Sequence, residues 1–290
     1  MIDLRNEEAL EGMKKIMDKS INTVFTDPPY PEVDRDYGRM SEADWHCLMH
    51  GVVKECQRVL KPKGSAIIIL QPNSAKIGNM RTWLWEFMAW AGKEWNIVQD
   101  VWWHNTAAQP NCHSQRKFGL MRPSVKVCVW LGEPDCYRNQ DAVLLPLKIT
   151  KHHKTNELKH NPSGYTMREA RCLDTAIERG GSTPFNVLLM PNTHNRKCAG
   201  SFGHGAGTPY RLTEWWVKYT SRPGDTVLDM FSGVGTTGMV CKALDRNYIG
   251  IEKDEGYHKI AQGRFRPATL ASGGRTSARA FVESESCDGS

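Results

Sequence analysis

The strongest constraint on this chain lies near its C-terminal end. Val227-Leu228-Asp229-Met230-Phe231-Ser232-Gly233-Val234-Gly235-Thr236-Thr237-Gly238 is followed by Tyr248-Ile249-Gly250-Ile251-Glu252. An apolar stretch feeds a glycine-rich turn, a helix-compatible stretch follows, and a second apolar stretch ends on a carboxylate. The pattern predicts strand, tight turn, helix, strand. Glycines in such a turn let backbone approach a ligand closely, and an acid about 20 residues on reaches ribose hydroxyls. A ribose-bearing ligand is the expectation.

The turn also satisfies the dinucleotide fingerprint GxGxxG, and context decides against that reading. A dinucleotide-binding sheet begins with this unit and adds strands after it. Here fewer than 40 residues follow Glu252. The remaining strands must come from earlier in the chain, so the sheet is permuted and a nicotinamide dehydrogenase is disfavoured.

Earlier in the chain, residues 2–6 suffice for an edge strand, and Leu10, Met13, Ile16 and Met17 repeat at helical spacing. Ile21-Asn22-Thr23-Val24-Phe25-Thr26 reads as a buried strand that stops at Asp27-Pro28-Pro29-Tyr30. Prolines lack the N–H that a sheet needs, and the residue before each is held extended. Asp27 and Tyr30 are thereby presented at a strand's carboxyl end, where open α/β sheets bind ligands. Ser41 and Asp44 resemble a capping box ahead of Trp45, Leu48, Met49, Val52, Cys56, Val59 and Leu60, which follow at helical intervals. Lys61-Pro62-Lys63-Gly64 signals the stop, and residues 65–70 form an apolar run of the kind buried between helices. Trp83, Phe87 and Trp90 stripe another helix and read as core. Two more strand-like runs, 97–104 and 124–131, flank a polar loop with Arg116, Lys117 and Arg122. The order predicts an α/β sheet with an antiparallel hairpin at its edge.

From about residue 132 to 191 the alternation is lost and basic residues gather, among them Lys148, Lys151 and Lys154. This stretch is either a solvated insertion or a module facing nucleic acid. A formal net charge of +6 suits a polyanionic partner. Thr208-Pro209 opens a further helix, with Thr208 expected as N-cap and Pro209 in the first turn. Residues 267–290, rich in Ser, Gly and Ala, read as a disordered tail. The 9 cysteines include no CxxC pair, so no metal site is expected. No apolar run reaches the roughly 20 residues of a membrane span, and the first residues carry acids rather than a signal-peptide pattern. The cytoplasm is the expected compartment.

Two motif-bearing strands therefore stand out. If both belong to one parallel sheet, both turns open onto one rim. At the first, Asp27 and the Pro28 carbonyl can accept the two N–H bonds of an exocyclic amine on a flat ring, and Tyr30 can stack on that ring. The pair DPPY and FxGxG resembles the amino-methyltransferases of DNA, and the order of the two motifs resembles that family's β group. The match covers nearly everything from Leu4 to Arg266.

The resemblance implies a Rossmann-like seven-stranded methyltransferase sheet, mostly parallel with an antiparallel hairpin, in circularly permuted motif order. Residues 1–132 and 201–266 would form the catalytic domain, with a target recognition insertion at 133–200. S-adenosylmethionine is the implied cofactor and double-stranded DNA the implied partner, the target being adenine N6 or, as alternative, cytosine N4. The cytosine enzymes more often carry Ser where Asp27 stands, which favours adenine. Asp27, Pro28, Pro29 and Tyr30 are then the catalytic loop. Phe231, Ser232, Gly233, Gly235 and Thr236 line the cofactor with Asp229 at the same turn, Glu252 binds the ribose, and Thr208 and Pro209 close over the methionine moiety. Glu8 stands where the family often has an Asp near the cofactor's adenine ring. Lys148, Lys151, Lys154, Arg116, Lys117 and Arg122 are DNA-contact candidates. A homodimer, a restriction endonuclease partner and a prokaryotic or phage origin also accord with the family. RNA or protein methyltransferases with related motifs usually place the cofactor turn first, and a catalytically inactive DNA-binding protein would not need both turns intact.

Overall fold

The computed structural model describes residues 1–34, 38–107, 117–147, 174–192 and 207–266. The basic candidates Arg116, Lys148, Lys151 and Lys154, and the expected tail, lie outside these residues. Among the described residues one main sheet runs through the molecule. Its strands are β1 (Ile2–Arg5), β2 (Ile21–Thr26), β3 (Leu60–Leu70), β6 (Ile97–Asn105), β7 (Val125–Gly132), β8 (Val187–Met190), β9 (Thr226–Asp229) and β10 (Asn247–Ile251). The spatial order is β1-β10-β9-β2-β3-β7-β6-β8. β7 alone runs against the others, paired antiparallel with both β3 and β6. A separate two-stranded ribbon, β4 (Ser74–Lys76) and β5 (Asn79–Met80), follows β3.

Alternation along the central strands builds two cores, because successive side chains point to opposite faces. Val24, Ala66, Ile68, Val127 and Val129 share one core with α1 (Ala9–Lys14), α2 (Glu42–Val59) and α3 (Trp83–Glu94), whose Met13, Trp45, Met49, Val52, Trp83 and Phe87 are buried there. Phe25, Ile67, Ile69, Cys128 and Trp130 face the other way, onto Leu212, Trp216 and Tyr219 of α4 (Tyr210–Thr220). Each of the valine, leucine, isoleucine, methionine and phenylalanine side chains contributes about 1.5–3 kcal/mol through burial. The N-terminus of α2 is capped as its sequence implies, with the Ser41 hydroxyl accepting the Asp44 N–H at 3.1 Å.

Two elements depart from the reading of the sequence. The helix stops at Val59, as Lys61–Gly64 implies, but those four residues are not a linker between helix and strand. β3 begins at Leu60, and the four residues bulge out of it, with Ile21 paired to Leu60 and Thr23 to Ser65. Lys63 adopts a φ of 66°, which lets the chain loop outward and rejoin the ladder. The insertion also contributes to the sheet: β8 lies parallel to β6, adding an eighth strand to the expected seven. Its four residues, alternately exposed and covered, carry too short a signal to be told from loop.

Candidate active site

β2 and β9 are parallel neighbours, Thr23 opposite Val227 and Val24 opposite Leu228. From β9 the chain moves to β10 on one side, and from β2 to β3 on the other. The crevice between them is thus the switch point of the sheet, where open α/β folds bind ligands. The Thr26 hydroxyl, one residue before Asp27, donates to Asp229 Oδ1 at 2.7 Å and clamps the two motifs together across the crevice.

At the β2 end the loop is held from several sides. The Trp45 indole N–H donates to the Pro29 carbonyl at 2.7 Å. Asp27 Oδ1 accepts the Tyr30 hydroxyl at 2.6 Å, and Oδ2 accepts the Thr208 hydroxyl at 3.0 Å. Lys126, from β7, donates to Tyr30 Oη at 2.9 Å and stands 3.4 Å from Asp27 Oδ2. The Tyr30 ring lies 6.4 Å from that of Trp83, inclined by 27°. Trp83 is therefore core, as its helical stripe implies, and also a backstop for the loop.

At the β9 end Gly233 and Gly235 adopt φ of 50° and 79°, the left-handed region open to glycine at little cost. Gly235 is the N-cap of α5 (Thr236–Ala243). A Cβ on Gly238 would sit 2.6 Å from the Tyr248 ring, so that glycine sets how closely α5 lies on β10. Asp229 accepts from Thr26, from Thr237 Oγ1 at 2.7 Å and from the Phe231 N–H at 3.2 Å. Burial pushes its carboxyl up to about 6, against the pull of those donors. Glu252 accepts the Gly233 N–H at 2.7 Å and the Asp254 N–H at 2.9 Å. Burial raises its pKa, and the two N–H groups act in the opposite direction. Each oxygen keeps a lone pair for a ligand hydroxyl.

A cavity of about 330 Å³ joins the two ends. Its wall contains Asp27, Pro28, Pro29 and Tyr30 from the first loop, and Asp229, Phe231, Ser232, Gly233, Thr236 and Glu252 from the second. Glu8 and Thr208 line it as well. Gly235 and Pro209 are helix caps instead. Helix α4 starts at Tyr210 with Pro209 as N-cap, so the Thr208 hydroxyl does not cap it and serves Asp27. Lys117 and Arg122 are exposed and outside the wall. The sequence reading missed Lys126, Thr26, Thr237, Trp45, Gln71, Asn192 and Tyr257; all but Thr26 and Trp45 line the cavity. Only Lys126 left a signal, as a cation interrupting an apolar strand.

A family model described as DNA methylase, of the N6/N4 type, matches residues 21–263. The chain belongs to this DNA methylase family. Among curated proteins, this DNA methylase is 29% identical to the Type II methyltransferase M.HinfI of Haemophilus influenzae, over 89% of its own length and 67% of that protein. It is 26% identical to the DNA adenine methyltransferase YhdJ of Escherichia coli (strain K12), over 90% and 82%. Among solved structures, the PvuII DNA methyltransferase (cytosine-N4-specific) superposes with a TM-score of 0.70 at 18% identity, covering 93% of this chain and 88% of that one. The M1.HpyAVI–SAM complex gives 0.55 at 19% identity, over 92% and 100%. Among the described residues of the DNA methylase, no helix is long and apolar enough to cross a membrane.

Proposed function

We propose that this DNA methylase transfers a methyl group from S-adenosylmethionine to the exocyclic N6 of an adenine turned out of duplex DNA. One observation carries the reading: the Asp27 carboxylate and the Gly233 turn with Glu252 line a single cavity. The cavity suits the cofactor, since the left-handed Gly233 leaves backbone bare in its wall and Glu252 presents a carboxylate to it. When bound, S-adenosylmethionine supplies a methyl already activated on a sulfonium. Glu252 would hold the ribose hydroxyls, and Phe231, Ser232 and Gly233 would line the rest of the ligand. Asp27 and the Pro28 carbonyl accept the two amine N–H bonds, which turns the nitrogen lone pair toward the methyl. Tyr30 stacks on the base and helps offset the few kcal/mol lost on flipping it out. The nitrogen–methyl bond would form as the methyl–sulfur bond breaks, the surplus amine proton would then leave to solvent, and rate would come mainly from alignment of nucleophile, methyl and leaving sulfur. In this reading residues 133–200 carry target recognition.

Asp27 and the likeness to a named adenine methyltransferase favour adenine. The likeness to a cytosine-N4-specific structure supports cytosine N4 as a second reading. Modified-base sequencing of DNA from cells expressing the protein, with mass spectrometry of its nucleosides, separates them. N6-methyladenine at one sequence is expected; N4-methylcytosine would move the assignment to cytosine, and unmodified DNA would end both readings.

A further inference from the structure

Lys126 sits where Asp27 chemistry alone does not require a cation. Its ammonium lies 2.9 Å from Tyr30 Oη and 3.4 Å from Asp27 Oδ2. It is 5.3 Å from the Tyr30 ring centroid and 5.2 Å from that of Trp103, on the neighbouring strand. The side chain is only 17% exposed and forms part of the cavity wall. Ordering a lysine and drawing it partly out of water both cost free energy. The two rings and the carboxylate offset that cost and fix the head in one place, beside the acceptor that receives the base.

We propose that Lys126 reads the ring nitrogen adjacent to the exocyclic amine of the target base. This deepens the function proposed above and rests on it. Adenine and cytosine share an edge in which an amine donor stands next to a bare ring-nitrogen acceptor. Asp27 offers an acceptor and Lys126 only donors, side by side, so the pair is complementary to that edge. Guanine and thymine present the reverse, a carbonyl oxygen next to a ring N–H. Asp27 would meet the carbonyl and Lys126 the N–H, leaving four groups without partners. The lysine is thus a specificity-determining residue that touches the base, and it excludes wrong bases by mismatch.

The test couples the residue to one atom of the substrate. Single-turnover methylation is measured with S-adenosylmethionine on duplexes bearing the sequence found by modified-base sequencing. The target is either the natural base or its analogue with the ring nitrogen replaced by C–H, 1-deazaadenine or 3-deazacytosine according to the base modified. Wild type should slow about tenfold or more on the analogue, the usual worth of a hydrogen bond to a charged group. Lys126→Met should slow by a similar factor on the natural base, and its natural-to-analogue rate ratio should be about tenfold smaller than that of wild type. Lys126→Arg should keep the sensitivity, and Lys126→Gln provides a second neutral variant should the methionine disturb folding. Cofactor titration of each variant reports that its cavity is formed. The analogue also weakens the base pair, but equally for every protein, so this cancels. An equal penalty in wild type and neutral variants, or full activity of the neutral variants on the natural base, would overturn the assignment to Lys126 while leaving the methylase reading intact. Failure of wild type on the natural duplex would sink both.

Discussion

Asp27 and Asp229 are two carboxylates at adjacent strand ends with opposite surroundings. Asp27 meets a phenol, a hydroxyl and an ammonium at the edge of a cavity. Replacing it with alanine should reduce methyl transfer by a hundredfold or more, by order of magnitude, because the amine loses its orienting acceptor. Cofactor affinity should stay within a few-fold, so radiolabel transfer and calorimetric titration on Asp27→Ala must diverge; full activity would discard the role. Asp229 is buried and braces the two motifs, and its pKa rises from the ordinary 3.8 to about 6. The folded chain therefore holds this proton more tightly than the unfolded one. The stability it contributes is full below about pH 4 and is lost as pH rises to about 6, on the order of 3 kcal/mol. Asp229→Asn lacks that proton. The stability difference between wild type and variant, from urea unfolding, should favour wild type most near pH 4 and shrink by pH 7. A difference constant across that range would mean that Asp229 titrates normally.

At the scale of elements, the site depends on where strands stop and how closely helices lie on them. Asp27-Pro28-Pro29-Tyr30 ends β2 for a reason visible in its residue types, and the glycine turn starts α5 for a reason equally local. The spacing of α5 from β10 follows from Gly238. Gly238→Val would drive side-chain atoms into the rings of Tyr248 and Phe265, the latter 2.7 Å from a Cβ at that position. A loss of about 1–3 kcal/mol is expected, together with weaker cofactor binding as the turn shifts. Thermal melting and cofactor titration should change together; a variant with native stability and affinity would show that the helix has room to move. The elements that the sequence disguised are those whose pattern was overridden by neighbours. Lys61–Gly64 stops the helix as its composition implies but forms a bulge within the strand, because Leu60 already pairs with Ile21. β8 is legible only once β6 is in place to pair with it.

For the whole molecule, the proposed roles would make the two turns separable in function although they share a cavity. Gly233→Trp places a large ring in the cofactor turn at a left-handed φ, so cofactor binding should be abolished. Binding to duplex DNA should survive, since a chain of net charge +6 attracts a polyanion whether or not the cofactor turn is intact. The affinity of wild type and variant should fall in parallel with rising salt, by about 0.9 log unit per log unit for each phosphate contact. Loss of DNA binding in Gly233→Trp, measured by fluorescence anisotropy, would mean that the cofactor turn is needed to form the DNA surface.

The sequence by itself determined the two turns, the cap of α2, the stripes of the core helices and the motif order, because each depends on residues within a few positions of one another. Only the tertiary structure decided what stands opposite what. Thr26 meets Asp229 across 203 positions and Lys126 meets Asp27 across 99. Such contacts exist because the chain leaves a strand and returns beside it, as β9 does to β2, or two places away, as β7 does, and no local periodicity records where a returning strand will land.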